Sequence, residues 1–184
     1  MSADLDPETK LKIYMLIVNR YKDLISKQEE RSVSEIRQRV SPYNDHVRLL
    51  RDTLTADFHP YAYERDFMLV AQRAIGHIKE IRTCRILLTF WMTFEEMEEL
   101  KVGGVMDKAL LLATLLRALE SKDAKVLVTK SERIFVGFEW KGERYLVIPE
   151  SGSLLGGDDA SKPFAEDPLA YSFSDLSYEN YEES

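Results

Sequence analysis

The stretch Gly103-Gly-Val-Met-Asp-Lys-Ala-Leu-Leu-Leu-Ala-Thr-Leu-Leu-Arg-Ala-Leu119 decides the fold. From Val105 to Leu119 apolar residues recur on almost every side of a helix, with leucine at 110, 111, 112, 115, 116 and 119. A helix without a polar stripe has to be covered on most of its surface, so it is predicted to be the central element of the fold. The cover on one side follows directly in the chain. Ala124–Thr129, Ile134–Trp140 and Arg144–Ile148 read as strands, the last two joined by the compact turn Lys141-Gly142-Glu143 and therefore antiparallel neighbours. Ser151 to Lys162 is rich in Gly, Ser and Asp and reads as a loop, and alternation at Leu169, Tyr171 and Phe173 predicts an edge strand.

Upstream the pattern is helical. Thr93-Phe-Glu-Glu96 is a capping box opening a short acidic helix to Leu100, and Gly103-Gly104 ends it as a plain turn. Before it, Ile86-Leu-Leu-Thr-Phe-Trp91 is a short apolar, β-compatible run. Asp6-Pro7 starts a helix to about Gln28, with Leu11, Tyr14, Val18, Tyr21 and Ile25 at alternating steps of three and four. Ser32-Val-Ser-Glu35 and Ser41-Pro42 divide the next stretch into helical pieces, Val33–Val40 and Pro42–Leu54. A further helix from Pro60 to Arg82 has its core stripe at Phe67, Val70, Ala74, Ile78 and Ile81.

Composition narrows the function classes. The 184 residues carry a net charge of -7, and residues 158–184, with eight Asp/Glu against Lys162, account for all of it. A neutral body with an acidic C-terminal segment argues against gripping nucleic acid or anionic lipid through net charge. Neither a leader nor a membrane span is expected, and the single cysteine, Cys84, excludes an internal disulfide, so the expected location is the cytoplasm. His46, His59 and His77 are scattered, and Glu95, Glu96, Glu98 and Glu99 match no calcium loop, so no metal and no cofactor are expected.

In residue detail, the segment 103–118 resembles the nucleophile helix of the transglutaminase-like group of papain-type cysteine hydrolases, G-x-C-x-D-x-A followed by a leucine-rich turn and Arg-Ala. Arg133-Ile-Phe-Val-Gly-Phe-Glu-Trp-Lys-Gly142 is similar to its histidine strand, and Arg144-Tyr-Leu-Val-Ile-Pro149 to its strand ending in Asp-Pro. The resemblance covers roughly residues 81–150. It implies a cysteine–histidine–aspartate triad at Val105, Arg133 and Ile148, and all three are substituted. Valine offers no nucleophile, a guanidinium no base near neutrality, and isoleucine no orienting acceptor.

These readings converge on an α+β protein. An N-terminal helical region, residues 1–82, packs on a transglutaminase-like core, 83–157, followed by an acidic and partly mobile segment, 158–184. The expected function is a non-catalytic module of prokaryotic type that binds a protein or peptide, with neither nucleic acid nor membrane as partner. Its cleft would lie at Val105, Arg133 and Ile148, with Trp91 and Trp140 placed to line it and Arg133 suited to an acidic peptide group. No residue is assigned a catalytic role. The alternative is a hydrolase or other enzyme with a relocated site, using the Cys84 thiol or the helical half.

Overall fold

The computed structural model describes residues 7–28, 35, 37, 39–84 and 92–181. Contacts divide the chain into two units, residues 1–31 with 85–91 and residues 32–84 with 92–184. In the smaller unit, α1 spans Pro7–Gln28, as its sequence predicts. Its apolar stripe is not a core stripe, because Leu11, Tyr14 and Tyr21 are exposed. The apolar run 86–91, with Trp91, and half of the Val33–Val40 piece lie outside the described residues.

The larger unit is an α+β layer structure. Its helices are α2 (Asp45–Leu54), α3 (Tyr63–Glu80), α4 (Phe94–Leu100), α5 (Val105–Ala118) and α6 (Lys162–Glu166). Ten successive residues of α5, Asp107 to Leu116, are buried. The helix packs against α2 and α3 and against strands β3 (Lys125–Thr129) and β4 (Ile134–Trp140). At its C-terminus the Tyr61 hydroxyl donates to the Leu119 carbonyl at 2.9 Å, answering an acceptor that the helix leaves open.

Several helix ends fall inside the predicted ones. α2 begins three residues after Pro42, because the Asn44 side chain accepts the Val47 N–H at 3.1 Å and takes the N-cap role. α3 runs Tyr63–Glu80 rather than Pro60–Arg82, and its predicted stripe is buried throughout. The Thr93–Glu96 capping box forms, with the Thr93 N–H donating to the Glu96 carboxylate at 2.8 Å and the Glu96 N–H to Thr93 Oγ1 at 3.2 Å. The Gly103-Gly104 turn is corrected. Lys101, at φ 52°, ends α4, and Val102–Gly103 forms a short strand, β2, parallel to β1 (Arg82–Thr83).

The main sheet has the order β6-β5-β4-β3-β7-β8 and is antiparallel throughout, with β5 at Glu143–Ile148, β6 at Ser153–Gly156, β7 at Leu169–Phe173 and β8 at Tyr178–Asn180. The β4–β5 turn is a two-residue loop, Lys141 and Gly142, both at positive φ, which matches the twist of a tight hairpin. Three expectations change downstream of it. The 151–162 loop contains β6 and a short 3-10 helix, Gly157–Ala160. Residues 169–173 form an interior strand between β3 and β8, not an edge. The acidic segment is built into the sheet as far as Asn180, and its Asp175 and Glu179 are paired with cations.

That pairing is local and specific. Arg117, near the end of α5, forks onto Asp175 in the β7–β8 turn at 2.6 and 3.1 Å, with side chains only 9% and 17% exposed. Its third nitrogen donates to the Ser121 carbonyl, and Arg37 donates to the carbonyls of Ser174 and Asp175. Lys125 pairs with Glu179 at 3.0 Å.

Strand alternation sorts the sheet into two faces. Val126, Val128, Val136, Phe138 and Val147 share the inner face, where the Phe138 ring meets Phe67 of α3 edge-on at 5.6 Å. The outer face carries Leu127, Phe135 and Leu146, covered in part by Ala160 and Phe164. Truncating Leu112, which is fully buried, is expected to destabilise the fold by about 3 kcal/mol. Leu100→Ala, at an exposed site, is expected to change stability by less than about 0.5 kcal/mol; urea unfolding of the two variants measures the contrast.

Candidate functional site

The three triad-equivalent positions do not converge. Val105 is the first residue of α5 and half-buried on the inner side of the sheet. Ile148 follows Val147 in β5 and so projects from the outer face, where it packs against the Leu127, Phe135, Leu146 and Ala160 cluster. Arg133, exposed at the start of β4, lays its guanidinium 5.1 Å from the Phe135 ring centroid. Its charge also adds to hydrogen bonds from Ser131 and Thr129 that hold the Asp167 carboxyl below the usual carboxylate range. A cleft lined jointly by Val105, Arg133 and Ile148 is therefore not formed. Trp140 stands at the other end of β4, with the Lys141 ammonium 4.3 Å above its ring and its buried Nε1 without a hydrogen-bond partner among the described residues.

The head of α5 collects polar groups of a different kind. The Cys84 N–H donates to the Gly103 carbonyl at 3.0 Å, so the parallel β1–β2 pairing brings the cysteine beside the start of the helix, where sequence distance had set it apart. Lys108 is only 1% exposed; its Nζ donates to Thr83 Oγ1 at 3.1 Å and to the Glu150 carbonyl at 3.4 Å, and burial pushes the ammonium's pKa down. Asp107 accepts the Gly104 N–H at 3.1 Å. Burial nonetheless pushes its carboxyl up to about 6, against that hydrogen bond and the pull of Arg39.

His77 also gains a partner that its sequence neighbours do not supply. Its Nε2 lies 2.6 Å from Glu98 Oε1, and Lys101 Nζ lies 2.8 Å from the other carboxylate oxygen. Burial works to raise the Glu98 pKa, but the bonds from Lys101 and His77 outweigh it and hold the carboxyl below its ordinary range. Two of the four carboxylates on α4 are thus used in capping and pairing, and no group of three or more His, Cys, Asp or Glu among the described residues is placed to hold a metal ion.

A concave site lies elsewhere among the described residues, on the outer face beside Ala160 and Phe164. It is a groove of about 580 Å³ with Leu127, Gly137 and Leu146 in its floor. A Cβ at 137 would stand 2.8 Å from Leu127 Cδ1, so any side chain there would displace Leu127. Two ion pairs border the floor, Lys125–Glu179 at 3.0 Å and Arg144–Glu139 at 3.1 Å. The Tyr181 hydroxyl and then Lys125 hold the Glu179 carboxyl below its usual range, and Ser172 Oγ donates to it at 3.2 Å. Ser161 and Phe164 bound the groove on one side and Ser174, Leu176 and Ser177 on the other. Neither cysteine nor histidine lines it, so it has hydrogen-bonding and ionic groups to hold a ligand but no thiol or imidazole to attack one.

Sequence reading missed this groove because its members come from β3, β4, β5 and the acidic segment, which no local motif links. The alternation at 125/127 and 144/146 was the available signal, a charged and an apolar residue on one face in each strand. No family model, curated protein or solved structure matches the chain.

The Asp107 environment has a measurable consequence. With its folded pKa near 6 and its unfolded value at 3.8, the folded state binds more protons between those values, so this residue's stabilising contribution is full below pH 4 and lost as pH rises through 6. Asp107→Asn is expected to remove that dependence and to gain on wild type by roughly 2–3 kcal/mol between pH 4 and pH 7. Urea unfolding of both proteins across this range measures the difference.

Proposed function

We propose that the protein is a non-catalytic, transglutaminase-like binding module of the cytoplasm that holds an extended peptide in the outer-face groove. The observation that carries this reading is the combination of an apolar floor with two ion pairs already formed at its border. A peptide lying there sets apolar side chains against Phe164, Leu169 and Leu176 and exchanges charged partners with Lys125, Glu179, Arg144 and Glu139. The substituted triad positions support the non-catalytic part, since valine, arginine and isoleucine supply neither nucleophile nor base.

Selection of a displayed peptide library on the folded protein tests the reading. Enriched peptides are expected to bind wild type, and the double variant Lys125→Glu, Arg144→Glu, which reverses both cations, is expected to weaken binding at least tenfold while remaining folded. Val105→Trp is expected to leave affinity unchanged. Loss of binding in Val105→Trp with no effect of the double variant would move the site to the head of α5.

One observation favours a second reading, a thiol enzyme. Cys84 sits beside the head of α5, where the resemblance locates a nucleophile, and the neighbouring Thr83 receives a buried lysine. Iodoacetamide labelling separates the two. The binding module predicts that folded Cys84 reacts no faster than an ordinary free thiol, whereas a rate at least tenfold above it, at neutral pH, would support the enzyme.

A further inference from the structure

We infer that α1 lies in the plane of an anionic lipid surface, with its apolar face in the boundary between headgroups and acyl chains. Leu11, Tyr14, Ile17, Tyr21 and Leu24 are 48–62% exposed in a chain whose other large apolar residues are mostly buried. Together with Val18 they span roughly 140° of the helix circumference. Exposed cations border this arc on both sides, Lys22 beside Leu11 and Arg20 beside Leu24, while Asp23 falls on the opposite side. Met15 and Leu16, also exposed, stand outside the arc.

Charge selects the occupant. The α1 segment has five Lys and Arg against two Asp and Glu, in a chain whose total is -7, and of these cations Arg20 and Lys22 flank the apolar arc. In a parallel pair of α1 helices from two copies, Arg20 and Lys22 of both would flank the seam, cation against cation. An anionic bilayer reverses that balance, because arginine and lysine reach out to phosphate while their stems cover apolar surface. Tyr14 and Tyr21 carry the apolar ring and polar tip suited to this depth. No helix among the described residues is long and apolar enough to cross a membrane, which fits attachment in the plane.

Co-sedimentation of the full chain with vesicles tests the inference. Binding is expected to vesicles of phosphatidylglycerol mixed with phosphatidylcholine, with at least tenfold weaker binding to phosphatidylcholine alone. Arg20→Glu with Lys22→Glu, and separately Ile17→Ser with Leu24→Ser, are each expected to reduce binding at least tenfold while the thermal unfolding of the protein is unchanged. Equal binding to both vesicle types, or to neither, would overturn the inference. A dimer in sedimentation equilibrium without lipid that both pairs of substitutions abolish would also overturn it and assign the face to a second copy.

Discussion

A helix with no face for water imposes the layout of the larger unit. α5 is buried from Asp107 to Leu116, so each direction around it needs a covering element. α2 and α3 supply one side and the strands β3 and β4 the other. The apolar inner face of the sheet, Val126, Val136, Phe138 and Val147, meets this demand. The outer face carries a second, smaller apolar cluster around Leu127, Phe135 and Leu146, and the charge-bordered groove lies beside it.

The polar residues of α5 determine how that packing is oriented. A helix of leucines can rotate or slide against its neighbours with little penalty, because one leucine ridge resembles another. Lys108 and Arg117 each have a distant backbone or side-chain partner: Thr83 and Glu150 for the lysine, and Asp175 for the arginine. Any rotation strands one of them without its hydrogen bond in a low-dielectric interior, which is a larger penalty than a repacked methyl group. The helix is thus held in one orientation by groups that add little to its burial.

How much of this is legible in the sequence depends on how local the cause is. The Thr93–Glu96 cap, the leucines of 110–119 and the Lys141-Gly142 turn act over a few residues, and the structure follows them. The β7–β8 hairpin is different. Its charges look solvated in sequence, since Asp175 and Glu179 are 58 and 54 residues from Arg117 and Lys125. The same holds for Cys84 beside Gly103 and His77 beside Glu98, which share no spacing rule. The positions at Val105, Arg133 and Ile148 were legible as an ordered series, yet order along the chain says nothing of which face of a sheet a side chain takes; a shift of one residue in a strand reverses it.

The strand order has a consequence for synthesis. β3 to β6 form a meander whose partners are adjacent in the chain, so each pairs as soon as the next is made, but β3 waits for β7, which comes from residues 169–173. Throughout that interval one flank of β3 offers unpaired backbone, and Arg117 is a cation at the end of a leucine-rich helix with Asp175 not yet translated. The nascent chain therefore keeps that flank open until β7 is made, and the residues that close it are among the last of the sheet to arrive.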